Sequence, residues 1–144
     1  MATRLTHTKK LILGFALSVF ALSALAADKV VYHIDDANTQ ATRALRNVRN
    51  QLDVAPKTAI TMVAHADGID FLLDGARDEK NNIEYASLIS DLKARGVTFE
   101  VCEITMDRRK LQKSQFVMEA NFTRSGVVRI TELQNQKHYA YIKP

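Results

Sequence analysis

The stretch Gly96–Thr105 reads GVTFEVCEIT, a glycine, an apolar run, the only cysteine of the 144-residue chain, and then polar residues. Val97–Val101 within it fits a short buried strand. Just before it, Glu84–Arg95 carries Tyr85, Leu88, Ile89 and Leu92 at the spacing of an amphipathic helix. Gly96 then stands just past the helix end, where a left-handed residue is expected. A helix that passes through one glycine into a buried strand delivering Cys102 is half of a βαβ unit, and the rest of the chain repeats that alternation.

Towards the N-terminus, Thr58–Ala64 (TAITMVA) is a second buried strand, ending in His65, Asp67 and Gly68. Thr39–Leu52 places Ala41, Ala44, Leu45, Val48 and Leu52 on one helical face and stops before Pro56. Asp35, Asp36 and Asn38 offer caps for that helix, and Lys29–Ile34 (KVVYHI) is a further strand. Between the second strand and the helix at Glu84, Ile69–Leu73 is a short apolar element of unassigned type and Asp78–Asn82 a polar loop. Beyond Cys102, Met106–Val117 is predicted helical despite poor patterning, and Glu119–Thr123 is a weak strand. Ser125 caps a helix bearing Val127, Val128, Ile130 and Leu133, and Tyr139–Ile142 closes the chain as a strand. Tyr139 and Tyr141 share one face of this strand, which is assigned to the core, with an oligomer contact as the alternative. Strands alternating with helices imply parallel crossovers. The expected fold is therefore a three-layer α/β/α domain with a mostly parallel sheet of about five strands.

The N-terminus reads MATRLTHTKK and then LILGFALSVFALSALA. Arg4, Lys9 and Lys10, the uncharged run, and Ala24 and Ala26 around Leu25 predict a signal peptide cleaved after Ala26, leaving residues 27–144 as one domain. The uncharged run falls short of the roughly 20 residues that span a bilayer. Export to the periplasm is expected, with no membrane association after cleavage. Three of the 20 basic residues and none of the 16 acidic ones lie in the leader, so residues 27–144 carry 17 against 16, a net charge of +1. Bulk charge gives no case for nucleic-acid binding; Arg108, Arg109 and Lys110 read as a solvated helix face. A single cysteine excludes an internal disulfide.

In folds of this class, chemistry gathers outside the carboxyl ends of the strands. His33, His65 and Cys102 all fall near such ends. A thiol placed before a helix meets first-turn N–H groups that favour thiolate and raise its reactivity. Each residue also has a structural reading. Free cysteine is among the most buried residue types, and a histidine within an apolar strand commonly serves as a hydrogen-bonded core residue. A Cys–His–His metal site would need three ligands that have no tight spacing here, so no metal and no organic cofactor is expected. His138 precedes the last strand without an evident partner.

The segments KVVYHIDD, ALRNVRNQL, VAHADGIDFLL, LKARGVTFEVC, SGVVRITELQ and YAYIKP, in this order, resemble the DsrE/DsrF-like family of small sulfur-metabolism proteins, and in particular its exported branch. The resemblance implies a parallel-sheet α/β fold and symmetric homo-oligomers, commonly trimers or hexamers. It further implies that a cysteine, here Cys102, receives sulfur as a persulfide and passes it to a partner protein. The family pattern tends to Asn-Thr-Leu where this chain has Ile104, Thr105 and Met106, often to glycine where Ala66 stands, and to Pro and Glu at Arg124 and Arg129. The expected activity is sulfane-sulfur carriage on Cys102, with Thr105 or nearby backbone N–H groups stabilising the thiolate, His65 as acid/base or positioning group, and a thiol-bearing protein as acceptor. The alternatives are a non-catalytic ligand-binding or assembly module whose cysteine is structural, and a metal-binding Cys/His site.

Overall fold

The computed structural model describes residues 27–144; the leader expected over residues 1–26 lies outside the described residues. Along the chain the elements are β1 (Lys29–Asp36), α1 (Ala37–Val54), β2 (Ala59–Asp67), a 3-10 turn (Gly68–Leu72), β3 (Arg77–Asp78), β4 (Ile83–Glu84), α2 (Tyr85–Ala94), β5 (Thr98–Cys102), α3 (Glu103–Arg109), a second 3-10 turn (Lys113–Gln115), β6 (Ala120–Thr123), α4 (Gly126–Asn135) and β7 (Ala140–Ile142). Five strands form one sheet in the order β6-β5-β2-β1-β7, every neighbouring pair parallel. β3 and β4 pair separately as a small antiparallel ribbon.

Helices cover both faces of the sheet, giving the expected three-layer α/β/α arrangement. On one face, Tyr32, Ile34, Ile60, Met62, Phe99 and Val101 pack against the apolar stripes of α1 and α2 to form the main core. The other face is thinner, with Val31 and Val63 meeting Ile130 and Leu133 of α4, and Tyr139 packed beside them. Period-two alternation along β1, β2 and β5 makes this division, since neighbouring side chains on a strand point to opposite faces. Asp36 caps α1 by accepting the Asn38 N–H at 3.0 Å, and Gly96 at φ +91 ends the α2 connection in the left-handed region.

Two expectations shift. The helix predicted over Met106–Val117 instead starts at Glu103 and ends at Arg109, where Lys110 turns left-handed at φ 56. The apolar residues beyond it are drawn into strand-like contacts, Phe116 bridging Leu73 and the Val117 N–H reaching the Leu72 carbonyl at 3.0 Å. The closing strand does not bury both tyrosines: Tyr139 joins the thin core, whereas Tyr141 remains 40% exposed.

The turn after β2 passes close against the backbone of β1. A Cβ on Gly68 would sit 2.2 Å from the Ile34 carbonyl oxygen, against backbone that has no room to retreat. Two residues earlier, Ala66 lies at φ 49, a region that disfavours a Cβ. We expect Gly68→Ala to lower unfolding stability by about 2–3 kcal/mol through overpacking. Ala66→Gly should cause no loss, because relief of left-handed strain offsets the added freedom of the unfolded chain. Chemical denaturation of the two variants checks both.

Candidate functional site

Cys102 is the last residue of β5 and the N-cap residue of α3, so the strand ends where a helix begins. The residue is only 4% exposed. Burial pushes the thiol up, but the N–H groups of Gly126 and Thr105, the Thr105 hydroxyl and the Ile104 N–H outweigh it, and the thiol is held below its ordinary value. Thr105 is buried in the first turn of α3, where its Oγ1 accepts the Ala66 N–H at 3.1 Å. That bond leaves the hydroxyl proton free for the sulfur and ties the β2 turn to the thiol.

Gly126 opens α4 and fits between two of the anticipated residues. A Cβ there would lie 3.1 Å from His65 Cβ and 3.4 Å from Cys102 Cβ. The absence of a side chain thus lets the α4 backbone approach the thiol and the imidazole together. Ser125 caps α4 by accepting the Val128 N–H at 3.4 Å. The helix is docked by Arg129, whose guanidinium grips the buried Glu100 carboxylate through Nε at 2.7 Å and Nη2 at 2.9 Å. The fork is bidentate and charge-assisted.

His65 lies within β2 rather than after it. It meets His33 of β1 through a 2.6 Å contact between their Nε2 atoms, with the rings stacked at a centroid distance of 4.7 Å. His33 Nδ1 is in turn 2.6 Å from the Tyr141 hydroxyl on β7. Burial, then the nearby Lys143 charge and His65, lower His33 to about 4, partly opposed by Asp35. Burial likewise lowers His65, with Asp35 opposing and Lys143 assisting. Both rings therefore favour the neutral form at pH 7, and the short contact is met when one Nε2 carries a proton and the other does not.

All three anticipated site residues, Cys102, Thr105 and His65, come together, and His33 joins them through His65. Tyr141 was missed as a member of the site; the only sequence signal for it was its place on a strand neighbouring the histidine-bearing ones. The basic cluster read as a solvated helix face is partly ion-paired: Arg109 meets Asp70 at 2.7 Å, and Arg124, just after β6, meets Asp107 at 2.8 Å. His138 is exposed at the opposite end of the sheet. Among the described residues no group of three or more His, Cys, Asp or Glu side chains is placed to hold a metal ion, and no helix is long and apolar enough to cross a membrane. An apolar groove of about 450 Å³ between α1 and α2, lined in part by Leu45 and Leu88, lies on the other face of the sheet from Cys102.

A sequence model of the DsrE/DsrF-like family matches residues 6–144. The chain belongs to the DsrE/DsrF-like family. DsrE/DsrF-like proteins are in general connected with sulfur metabolism. Among solved structures, the chain is similar to the protein of unknown function MTH1491 from Methanobacterium thermoautotrophicum, with 27% identity and a TM-score of 0.71 over 81% of this chain and 99% of that one. It also shares its fold with the ychN protein from E. coli, with 11% identity and a TM-score of 0.66 over 82% and 99% of the two chains. No curated protein matches it. The DsrE/DsrF-like fold accounts for the parallel sheet; the imidazole pair belongs to this chain's own geometry.

Two consequences are measurable. Thr105→Val removes one donor to the sulfur, so the pH midpoint of Cys102 alkylation by a small reagent should move upward. A histidine whose folded value is depressed resists protonation in the folded state and accepts it when unfolded. Stability should therefore be fully present above about pH 6.5 and decline as the pH falls towards about 4. Urea denaturation across this window should show that slope in the native protein and a shallower one in His33→Asn.

Proposed function

We propose that this protein is an exported sulfur carrier of the periplasm, in which Cys102 holds sulfane sulfur as a persulfide and yields it to an acceptor thiol. The observation that carries this reading is the set of donors converging on Cys102 from two elements, the Gly126 N–H of α4 and the Thr105 and Ile104 groups of α3. A thiolate that attacks a sulfane sulfur breaks the donor's S–S bond, and the leaving group departs with the electron pair. The same N–H groups then face the negative charge of the persulfide. Neither a metal nor an organic cofactor is called for by this step. His65, packed against Gly126 beside the thiol, is the group for proton transfer.

Several features fit an exported carrier. Recessing the thiol at 4% exposure within its own chain limits adventitious disulfide formation in an oxidising compartment, even before any oligomer forms. The exposed Val127 and Val128, at 60% and 56%, border Gly126 and offer an apolar rim for a partner protein or another protomer of a trimer or hexamer.

The same burial favours a second reading, a ligand-binding or assembly module of this fold with a structural cysteine. Intact-mass spectrometry of purified protein after brief exposure to polysulfide or thiosulfate separates the two. A carrier gains whole sulfur-atom masses that vanish with mild reductant and are absent from Cys102→Ser. A protein that stays unmodified when native, yet reacts when denatured, supports the module and overturns the carrier.

A further inference from the structure

We propose that the groove between α1 and α2 is a second binding site, which takes a small amphipathic anion, a short hydrocarbon chain ending in one carboxylate. The proposal stands apart from the persulfide reading, because the groove lies on the other face of the sheet from Cys102.

The two helices line the gap in the same way. Thr42, Leu45, Arg46 and Arg49 of α1 fall at i, i+3, i+4 and i+7, so that helix turns one stripe to the groove. Leu88, Asp91, Leu92 and Arg95 repeat the spacing along α2. Each helix leads back across the sheet to a parallel strand, so the two run in the same direction and their stripes end together. The ion pair of Arg95 with Asp53, at 2.9 Å, joins those ends. From Thr42 to Arg49 the helix rises about 10 Å. The volume of about 450 Å³ falls in the range of small-molecule pockets.

The ends of the groove differ in chemistry. At the Thr42 end, Ile83 and Leu88 supply apolar surface, and the Thr42 hydroxyl is spent on Asp78 at 2.5 Å. At the other end, Arg46 and Arg49 stand one turn apart with like charge, and neither enters an ion pair among the described residues. Arg95 is held by Asp53, and the lining carries one carboxylate, Asp91. Three guanidinium groups against two carboxylates leave an excess of one positive charge.

A chain with a single negative head matches that division. Burial of the chain against Leu45, Ile83 and Leu88 gives affinity in proportion to the apolar area covered. The head takes charge-assisted hydrogen bonds from Arg46 and Arg49, whose planar forks suit a carboxylate. A dianion would exceed the available charge, and a neutral hydrocarbon would leave both guanidinium groups without a partner.

The probe is octanoate, titrated into the purified protein at neutral pH and followed by calorimetry and by backbone amide NMR shifts. One saturable site is expected, with shifts centred on α1, α2 and Ile83. Octanol, equal in length and uncharged, should bind about tenfold more weakly, as should octanoate to Arg46→Gln or Arg49→Gln, each change removing a hydrogen bond to a charged group. Arg43→Gln, which alters an exposed arginine of α1 outside the lining, should leave the affinity unchanged. All three arginines are exposed, so the variants keep the fold. Absence of saturation below the micelle concentration of octanoate overturns the site. Equal binding of octanol, or an affinity indifferent to both lining arginines, also overturns it and leaves an apolar crevice without recognition. Groove shifts that follow protein concentration and ignore octanoate mark a contact between copies of this chain, and overturn it as well. Sulfur loading of Cys102 is read separately, so failure of either reading leaves the other standing.

Discussion

The grip of Arg129 on Glu100 is the interaction on which the site depends. Glu100 lies on β5 two residues before Cys102, facing the thin side of the sheet, and is only 7% exposed. A carboxylate so placed is costly to bury alone, and a guanidinium with two short bonds offsets that cost. Because α4 supplies the guanidinium, the helix is fixed over β5 and not merely laid on the few apolar residues beneath it. Gly126, one turn earlier, then reaches the sulfur and the imidazole together. The arginine that departs from the family pattern at this position thus has a structural partner of its own.

Opposing effects set the chemistry at the carboxyl ends of the strands. Desolvation raises the thiol and lowers the imidazoles, which alone would leave every group neutral and inert. At Cys102 the converging N–H groups and the Thr105 hydroxyl reverse that outcome, because they stabilise the charged form in a place water cannot reach. At His33 and His65 nothing reverses it, since the Asp35 carboxylate is shared with Lys143 and cannot hold a cation on either ring. The site therefore joins a thiol that favours charge to an imidazole pair that refuses it.

Much of this was legible beforehand. The strands at Lys29, Thr58 and Val97, the α1 stripe, the Ser125 cap and Gly96 are local patterns, and local patterns follow from residue spacing and backbone preference. The start of α3 was not legible, because Cys102 caps it with backbone geometry and no side-chain hydrogen bond. Its end was misread because Phe116 and Val117 satisfy a distant turn, a contact that no local period records.

The sequence by itself determined the alternation of elements, the parallel sheet, and the gathering of Cys102, Thr105 and His65 at one end of it, since strand direction puts every strand's carboxyl end on the same edge. Only the tertiary structure decided which strands are neighbours, and with them the pairing of His33 with His65 and the place of Tyr141 beside His33. Neighbourhood in a parallel sheet is set by which crossovers pack, over separations such as the 108 residues between His33 and Tyr141. That packing depends on shape and burial summed over the whole domain, which no short stretch of sequence contains.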